Sequence, residues 1–161
     1  MKKYIFLYLL LICGLLSLQA QCKMVYSISE NFDAWTVIQP CWYTQSGLSM
    51  IYVKNKRITF YSMMTPREDM HFITPKLKAG EYSLSVDFSD NGGESTLQLF
   101  SIENTSNQKS FISIAKPSPI KKATRVQNIT LKKNAHLGLK VVLNDMHQAI
   151  YMDNLIIKPR K

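Results

Sequence analysis

The sequence predicts an all-β fold: a two-sheet antiparallel β-sandwich of jelly-roll type, preceded by a cleavable signal peptide. Three observations predict it. About eight to ten short segments have the alternating or β-branched pattern of strands. Turn-forming residues separate these segments, and no amphipathic helical pattern of comparable strength is present. The 161 residues, 46% hydrophobic and 19% charged, have the composition of one globular domain, which excludes a disordered chain and a large multidomain enzyme.

The N-terminus has the organisation of a secretory signal. Lys2 and Lys3 precede an apolar run over 5–18, and Ala20 is a small residue suited to signal peptidase. The apolar run is shorter than the ~20 residues that a membrane-spanning helix needs. We therefore expect cleavage after Ala20, one β-sandwich domain over 21–161, no transmembrane segment after cleavage, and export to the periplasm, the cell surface or the medium.

Two cysteines remain once Cys13 leaves with the signal. An even pair in an exported chain predicts a disulfide between Cys22 and Cys41, worth about 3 kcal/mol for a loop of this length. Two free thiols are the alternative, because sequence does not report the distance between them. Gln21 precedes Cys22, where a lipoprotein has a small residue, so lipidation is disfavoured.

Strands are predicted along the whole mature chain. Tyr82, Leu84, Val86 and Phe88 alternate with polar residues over 80–88, and we expect a hairpin that connects this strand to 95–102 through the turn at 90–93. A second hairpin is expected between 137–143 and 148–157. The remaining predicted strands are 24–29, 48–53, 57–64, 109–115 and 124–131, and the two prolines within 116–122 indicate a loop or a sheet edge there.

Four segments resemble a known family. They are 29–37 with Trp35, 68–77 with its Ile-Thr-Pro sequence, 80–85, and the closing strand 149–157, in family order. Together they resemble the choice-of-anchor J or cleaved-adhesin family of Bacteroidetes-type exported proteins. The resemblance implies a jelly roll, related to MAM-like and carbohydrate-binding modules, that serves adhesion or glycan binding. The chain departs from the family where Ala34 leads directly into Trp35 and where His71 replaces an aromatic residue or leucine.

A structural calcium ion is the cofactor that the resemblance implies. The acidic positions of the family pattern match Glu30, Asp33, Asp69 and Asp153. Ca²⁺ prefers carboxylate and carbonyl oxygens as ligands. We expect Asp33 and Asp153 to share one Ca²⁺, with Glu30 or Asp69 as a further ligand. The alternative is that these acids are solvated or paired with lysines.

Aromatic rings are the side chains best suited to bind a sugar, because they pack on its C–H faces. Trp35 is assigned to the core because it lies in the opening motif. For every other candidate ring, burial in the core is the alternative to ligand contact. The candidates for ligand binding are Trp42, Tyr43, Tyr52, Tyr61 and Tyr151.

The formal net charge is +9, and basic residues are concentrated between positions 116 and 140. Such a stretch attracts acidic polymers, although most such stretches are solvated faces. The lack of a nucleic-acid-binding motif argues against nucleic acid as a partner. The basic residues are Lys116, Lys121, Lys122, Arg125, Lys132, Lys133 and Lys140.

Motifs of catalysis are not found. The sequence has no Gly-x-Ser-x-Gly, no His-Glu-x-x-His and no phosphate-binding glycine loop, and its histidines, His71, His136 and His147, lie in separate segments. We therefore predict a non-enzymatic module that binds extracellular glycans or host and matrix surface proteins. A structural subunit of a surface assembly and, last, a small secreted hydrolase are the alternatives.

Overall fold

The described part of the chain forms twelve β-strands. The computed structural model describes residues 22–64, 66–90, 94–121 and 123–160, so the signal segment and the turn at 91–93 lie outside it. No helix within these ranges is long and apolar enough to cross a membrane. The strands are β1 (Ile28–Glu30), β2 (Tyr43–Gln45), β3 (Met50–Lys54), β4 (Arg57–Tyr61), β5 (Asp69–Leu77), β6 (Gly80–Asp90), β7 (Ser95–Ile102), β8 (Phe111–Ser113), β9 (Ser118–Pro119), β10 (Ala123–Leu131), β11 (Ala135–Leu143) and β12 (Ala149–Pro159), with a 3-10 turn at Gln108–Ser110.

The strands form two antiparallel sheets. Sheet I has the order β10-β6-β12-β4-β3, and β1 pairs with the C-terminal half of β12. Sheet II has the order β2-β5-β11-β7-β8, and β9 pairs with β7. This architecture confirms the predicted two-sheet antiparallel sandwich.

The core lies between the sheets and follows the alternation of their strands. In β11, Leu137, Leu139 and Val141 are fully buried among the core side chains. Leu84 in β6 and Ile150 in β12 are their counterparts from sheet I. Because side chains alternate across a strand, the intervening residues of each strand lie on the outer faces of the sandwich.

Both predicted hairpins are wrong. β6 pairs with β10 and β12 in sheet I, whereas β7 pairs with β11 in sheet II. Likewise β11 belongs to sheet II and β12 to sheet I. The alternating pattern defines which residues of a strand are apolar, but it does not define the sheet in which that strand pairs. Each of these connections crosses from one sheet to the other, as the Greek-key connections of a sandwich do.

Two strands, β2 and β5, were not predicted, and β9 falls in the stretch 116–122 for which a loop or a sheet edge was predicted. β2 and β9 are too short to show a pattern, and β5 contains Pro75, which argues against a central strand. The register of β5 against β11 shifts between His136 and Gly138, so that Thr74 and Pro75 together lie opposite Leu137. This bulge accommodates a residue that has no backbone N–H to donate.

A disulfide joins Cys22 to Cys41, as predicted, with 5.5 Å between their Cα atoms. It connects the N-terminal segment to the loop before β2. That loop leads into Trp42, which stacks on Phe72 of β5 with 5.1 Å between ring centroids. The disulfide therefore fixes the approach to the edge of sheet II.

Candidate functional site

The outer face of sheet II carries a row of polar side chains across four strands. Gln45 of β2 lies opposite His71 of β5, His71 lies opposite Lys140 of β11, and Lys140 lies opposite Gln98 of β7. Directly paired residues of an antiparallel sheet point to the same side, so these side chains form one row. In β5, β11 and β7, the neighbours of these residues along the strand are apolar residues that fill the core.

Gln45, His71 and Lys140 of this row form the floor of a cavity of about 550 Å³, which we call the His71 cleft. Its volume is typical of small-molecule sites. Phe100 and Phe111 line one side, and their ring centroids lie 5.7 and 5.3 Å from that of His71. The residues that line the cleft are Gln45, Ser46, Gly47, Glu68, Asp69, His71, Phe100, Gln108, Phe111 and Lys140.

Two polar atoms on the floor of the cleft are buried without a partner. Among the described residues, neither Nδ1 of His71 nor Oε1 of Gln45 makes a hydrogen bond. His71 is only 8% exposed. A buried polar atom without a partner costs about 1–3 kcal/mol, so native structures rarely leave one without a protein group, a water, an ion or a ligand to bond with. Both side chains line the cleft.

Burial keeps the His71 ring neutral. Desolvation lowers the pKa of His71; the nearby Asp69 carboxylate acts in the opposite direction, and Lys140 lowers it further. A neutral imidazole has one nitrogen that donates and one that accepts. At neutral pH the cleft therefore offers an uncharged ring that can both donate and accept a hydrogen bond.

The charged groups of the cleft are already engaged with protein partners. Lys140 Nζ donates to Asp69 Oδ2 at 3.0 Å, and the two oxygens of Glu68 accept the backbone N–H groups of Leu48 and Ser49 at 2.6 Å each. Desolvation acts to raise the pKa of Glu68, but hydrogen bonds from Ser49 and the loop backbone outweigh it and lower that pKa. The Glu68 carboxylate thus holds the loop that forms one rim of the cleft.

The predicted sugar-binding rings are divided between three places. Trp42 is 9% exposed and packs in the core, so its ring faces are covered by protein. Tyr43 lies on β2 beside His136, with 5.6 Å between ring centroids. Tyr52, Tyr61 and Tyr151 are half-buried on the outer face of sheet I, on the opposite side of the sandwich from the His71 cleft. Trp35, at 8% exposure, is in the core as predicted.

The four predicted calcium ligands have separate environments. Asp69 belongs to sheet II and pairs with Lys140, whereas Asp153 belongs to sheet I and lies 3.5 Å from Arg57 Nε. Asp33 accepts a hydrogen bond from the side chain of Asn31. Glu30 lies opposite Leu155 in the pairing of β1 with β12. The described ranges contain no group of three or more His, Cys, Asp or Glu placed to hold a metal ion. Calcium stays a prediction.

The basic stretch does not form one face. Lys140 lies in the His71 cleft, and Lys133 pairs with Glu103 at 3.2 Å. Arg125 lies opposite the core residue Val86 and donates to Gln127 at 3.0 Å. Lys122 lies outside the described residues.

Apart from Asp69, which was predicted as a calcium ligand, the residues of the His71 cleft were not predicted as a site. His71 was noted only as a departure from the family pattern, and Lys140 only as part of a charged stretch. Gln98 and Lys140 each interrupt a run of buried aliphatic residues at an outward position of a central strand. That signal was available in the sequence, but the pairings of β11 with β7 and with β5, which place Lys140 beside Gln98 and His71, were not.

These features define a class: a jelly-roll β-sandwich with a ligand-sized cleft on one outer sheet face. Two solved structures of this fold are the K1 and K3 cleaved adhesin domains of Lys-gingipain from Porphyromonas gingivalis. K1 has a TM-score of 0.64 at 14% identity over 85% of this chain and 100% of that domain. K3 has 0.61 at 10% identity over 81% and 97%.

A family 29 carbohydrate-binding module from Piromyces equi is also similar, with a TM-score of 0.53 at 6% identity over 83% of this chain and 91% of that one. At these identities the likeness is one of fold. No protein-family model and no curated protein matches the sequence.

Proposed function

We propose that the protein is an exported, non-enzymatic adhesin-type module that binds an uncharged sugar residue of an extracellular glycan in the His71 cleft. The observation that carries this proposal is the pair of buried, unpartnered atoms, His71 Nδ1 and Gln45 Oε1, beside the rings of Phe100 and Phe111. The fold shared with cleaved adhesin domains and carbohydrate-binding modules supports it. Membership of the choice-of-anchor J family is part of the same proposal.

A sugar satisfies the chemistry of this cleft. Its hydroxyl groups donate to Gln45 Oε1 and to the neutral His71 ring, and its oxygens accept from the Lys140 ammonium group. Its C–H faces pack against Phe100 and Phe111, since aromatic rings offer a large, rigid apolar surface. The cleft thereby combines an apolar wall with a few oriented polar groups, which is the usual design of a small-molecule site.

The charges of the cleft favour an uncharged ligand. A uronic or sialic acid carboxylate would approach Asp69 and Glu68, whereas an amino sugar would approach Lys140. Because Lys140 is already paired with Asp69, any charged ligand would have to compete with that ion pair. A neutral hexose leaves the pair intact.

Binding of the purified mature chain to a panel of immobilised neutral and acidic glycans tests the proposal. Phe111→Ala removes one wall of the cleft at a half-buried position of the short strand β8, and we expect it to weaken binding at least tenfold. Ile112→Ala is the matched control, because Ile112 is the next residue, is 56% exposed and does not line the cleft. No selective binding by folded protein, or equal loss in both variants, would contradict the proposal.

A structural subunit of a surface assembly is the second candidate. β10 pairs with β6 through nine consecutive residues without a register shift, and among the described strands it has no partner on its other side. An open edge of this kind accepts a strand from another chain. Co-purification of a defined envelope partner, abolished by Val126→Pro in β10, would support this candidate.

Calcium binding is a separate proposal. The pairing of β1 with β12 places Glu30 opposite Leu155, two residues from Asp153, and backbone carbonyls can complete a calcium site. A ligand of the folded state raises the melting temperature. We expect a higher melting temperature in excess calcium than in chelator, and equal values would exclude a tight site.

A further inference from the structure

We propose that the outer face of sheet I is a second saccharide-binding surface, which takes a linear, uncharged glycan chain, so that the module is bivalent. We call this surface the tyrosine face; its rings are Tyr52, Tyr61 and Tyr151. The bridging of two glycans rests on the function proposed for the His71 cleft. The existence of the second surface does not, because a different set of residues carries it.

The tyrosine face is a row built across four neighbouring strands. Tyr52 of β3 lies opposite Thr59 of β4, Thr59 lies opposite Tyr151 of β12, and Tyr151 lies opposite Ser89 of β6. At ~4.8 Å between strands, the row extends over about 14 Å. Its length suits several linked sugar rings, whereas the compact His71 cleft suits one.

Thr59 is a buried polar group at the centre of this row. Its neighbours Ile58 and Phe60 are fully buried in the core, so the Thr59 side chain points to the outer face. It is nevertheless only 1% exposed, and its hydroxyl makes no hydrogen bond to any described residue. This hydroxyl lies beneath the surface between Tyr52 and Tyr151, so the exposed parts of those rings, and not Thr59, form the contact surface.

Oriented polar groups lie beside the rings. Arg57, Asp153, Asp87 and Asn154 line a cavity of about 440 Å³ at the same outer face. Arg57 Nε lies 3.5 Å from Asp153 Oδ2, and Asn154 Nδ2 donates to Asp87 Oδ2 at 2.8 Å. Each carboxylate therefore has a protein partner, and this disfavours a charged ligand. The remaining donors and acceptors can orient sugar hydroxyls.

The backbone of β12 supports this arrangement. Asn154 has a φ of 47° and lies where the register of β12 against β6 shifts between Asp153 and Ile156. Asparagine tolerates this left-handed conformation better than other non-glycine residues. The bulge directs Asn154 towards Asp87, so the local irregularity of the strand builds the polar edge of the tyrosine face.

The two surfaces are independent because the core separates them. Packed sheets lie ~10 Å apart, and the side chains of each outer face add to that distance. One sugar ring cannot contact both Lys140 and Tyr151. Occupation of both surfaces therefore requires two glycan segments, and a bivalent module can join them.

Proton NMR titration of the mature chain tests the second surface. The probes are neutral hexasaccharides of β-glucan, xylan and mannan, each added to about 1 mM or more, the range of weak binding. We expect at least one probe to shift the ring signals of Tyr52 and Tyr151 in a saturable manner, with dissociation constants unchanged by Phe111→Ala. The NMR signals of Lys140 report separately on the His71 cleft. The titration therefore distinguishes absence of binding at one surface from absence of binding at the other.

Paired substitutions show whether aromatic packing is responsible. Tyr52→Phe with Tyr151→Phe keeps both rings, and Tyr52→Leu with Tyr151→Leu keeps an apolar cover over Thr59 without a flat ring. We expect the Phe variant to bind within threefold of the parent and the Leu variant at least tenfold more weakly. Tyr26→Leu is the control, because Tyr26 is 60% exposed and outside both surfaces. Unshifted tyrosine signals with every probe, or equal binding by the Leu variant, would overturn the proposal.

Discussion

Among single residues, Gly47 determines the shape of the His71 cleft. A Cβ atom at this position would lie 1.8 Å from Glu68 Oε1, so Gly47→Ala must displace the carboxylate from the loop backbone. We expect the free energy of unfolding to decrease by about 1–2 kcal/mol. This is at the low end for hydrogen bonds to a charged group, because Leu48 is exposed. Urea unfolding measures it, with Leu48→Ala as the control. A midpoint equal to that of the parent would show that Glu68 does not stabilise the loop.

His71 gives the protein a pH dependence with a definite sign. Burial lowers the pKa of His71, and burial likewise lowers that of His136, below the ordinary value of ~6.5. The folded chain thus binds fewer protons than the unfolded chain. Stability is complete above about pH 6.5 and falls as the pH decreases through the lowered pKa values.

We therefore expect a lower melting temperature at about pH 5 than at about pH 7.5. His71→Gln should reduce this difference in melting temperature, whereas His147→Asn, at an exposed turn, should leave it unchanged. Depressed carboxylate pKa values such as that of Glu68 act at lower pH. Equal melting temperatures at these two pH values would contradict the burial of His71 and His136 as neutral rings.

Among the strands, β11 depends on a glycine in its centre. A Cβ at Gly138 would lie 2.5 Å from Cδ1 of Ile102, which covers the glycine from β7. Because Ile102 is fully buried, it cannot move without disturbing its neighbours. We expect Gly138→Ala to cost about 1–3 kcal/mol, as overpacking does. The paired variant Gly138→Ala with Ile102→Val should recover part of the lost stability. If Gly138→Ala alone were as stable as the parent, the predicted clash with Ile102 would be wrong.

The strands themselves were largely predictable from sequence. The predicted segment 95–102 coincides with β7, and 124–131 differs from β10 by one residue, because both show period-2 alternation. β5 was missed because Pro75 and its run of buried residues hide the alternation. Both hairpins failed because the chain crosses between sheets after β6 and after β11.

The candidate site was much less predictable, because it depends on cross-strand register. Gln45, His71 and Lys140 are neighbours only through the pairing of β5 with β2 and β11. Residue types indicated that Tyr52 and Tyr151 could contact a ligand, but their common alignment with Thr59 required the pairings of β4. Local patterns report burial and face, whereas a site of this kind is assembled from distant segments.

For the whole molecule, the disulfide restricts the unfolded chain. Cys22 and Cys41 are 19 residues apart, and closing a loop of this size stabilises a fold by about 3 kcal/mol in the chain-entropy model. Cys22→Ser with Cys41→Ser should lower the melting temperature by about 10 °C for a domain of this size. Calorimetry of the oxidised and reduced parent provides the comparison. A reduced chain that melts at the same temperature would show that the bond does not contribute to stability.

The net charge of the molecule separates specific from unspecific binding. With a formal net charge of +9, the protein should be retained on heparin, and salt should abolish this retention, because the Debye length falls from ~10 Å at 0.1 M to ~3 Å at 1 M. Hydrogen bonds and ring contacts with a neutral sugar are short-range, so we expect the affinity of the His71 cleft to change less than threefold over the same range. Isothermal titration with a neutral oligosaccharide at both salt concentrations measures this. If the affinity instead decreased in parallel with heparin retention, charge attraction would account for binding, and the neutral-sugar assignment of the cleft would be wrong.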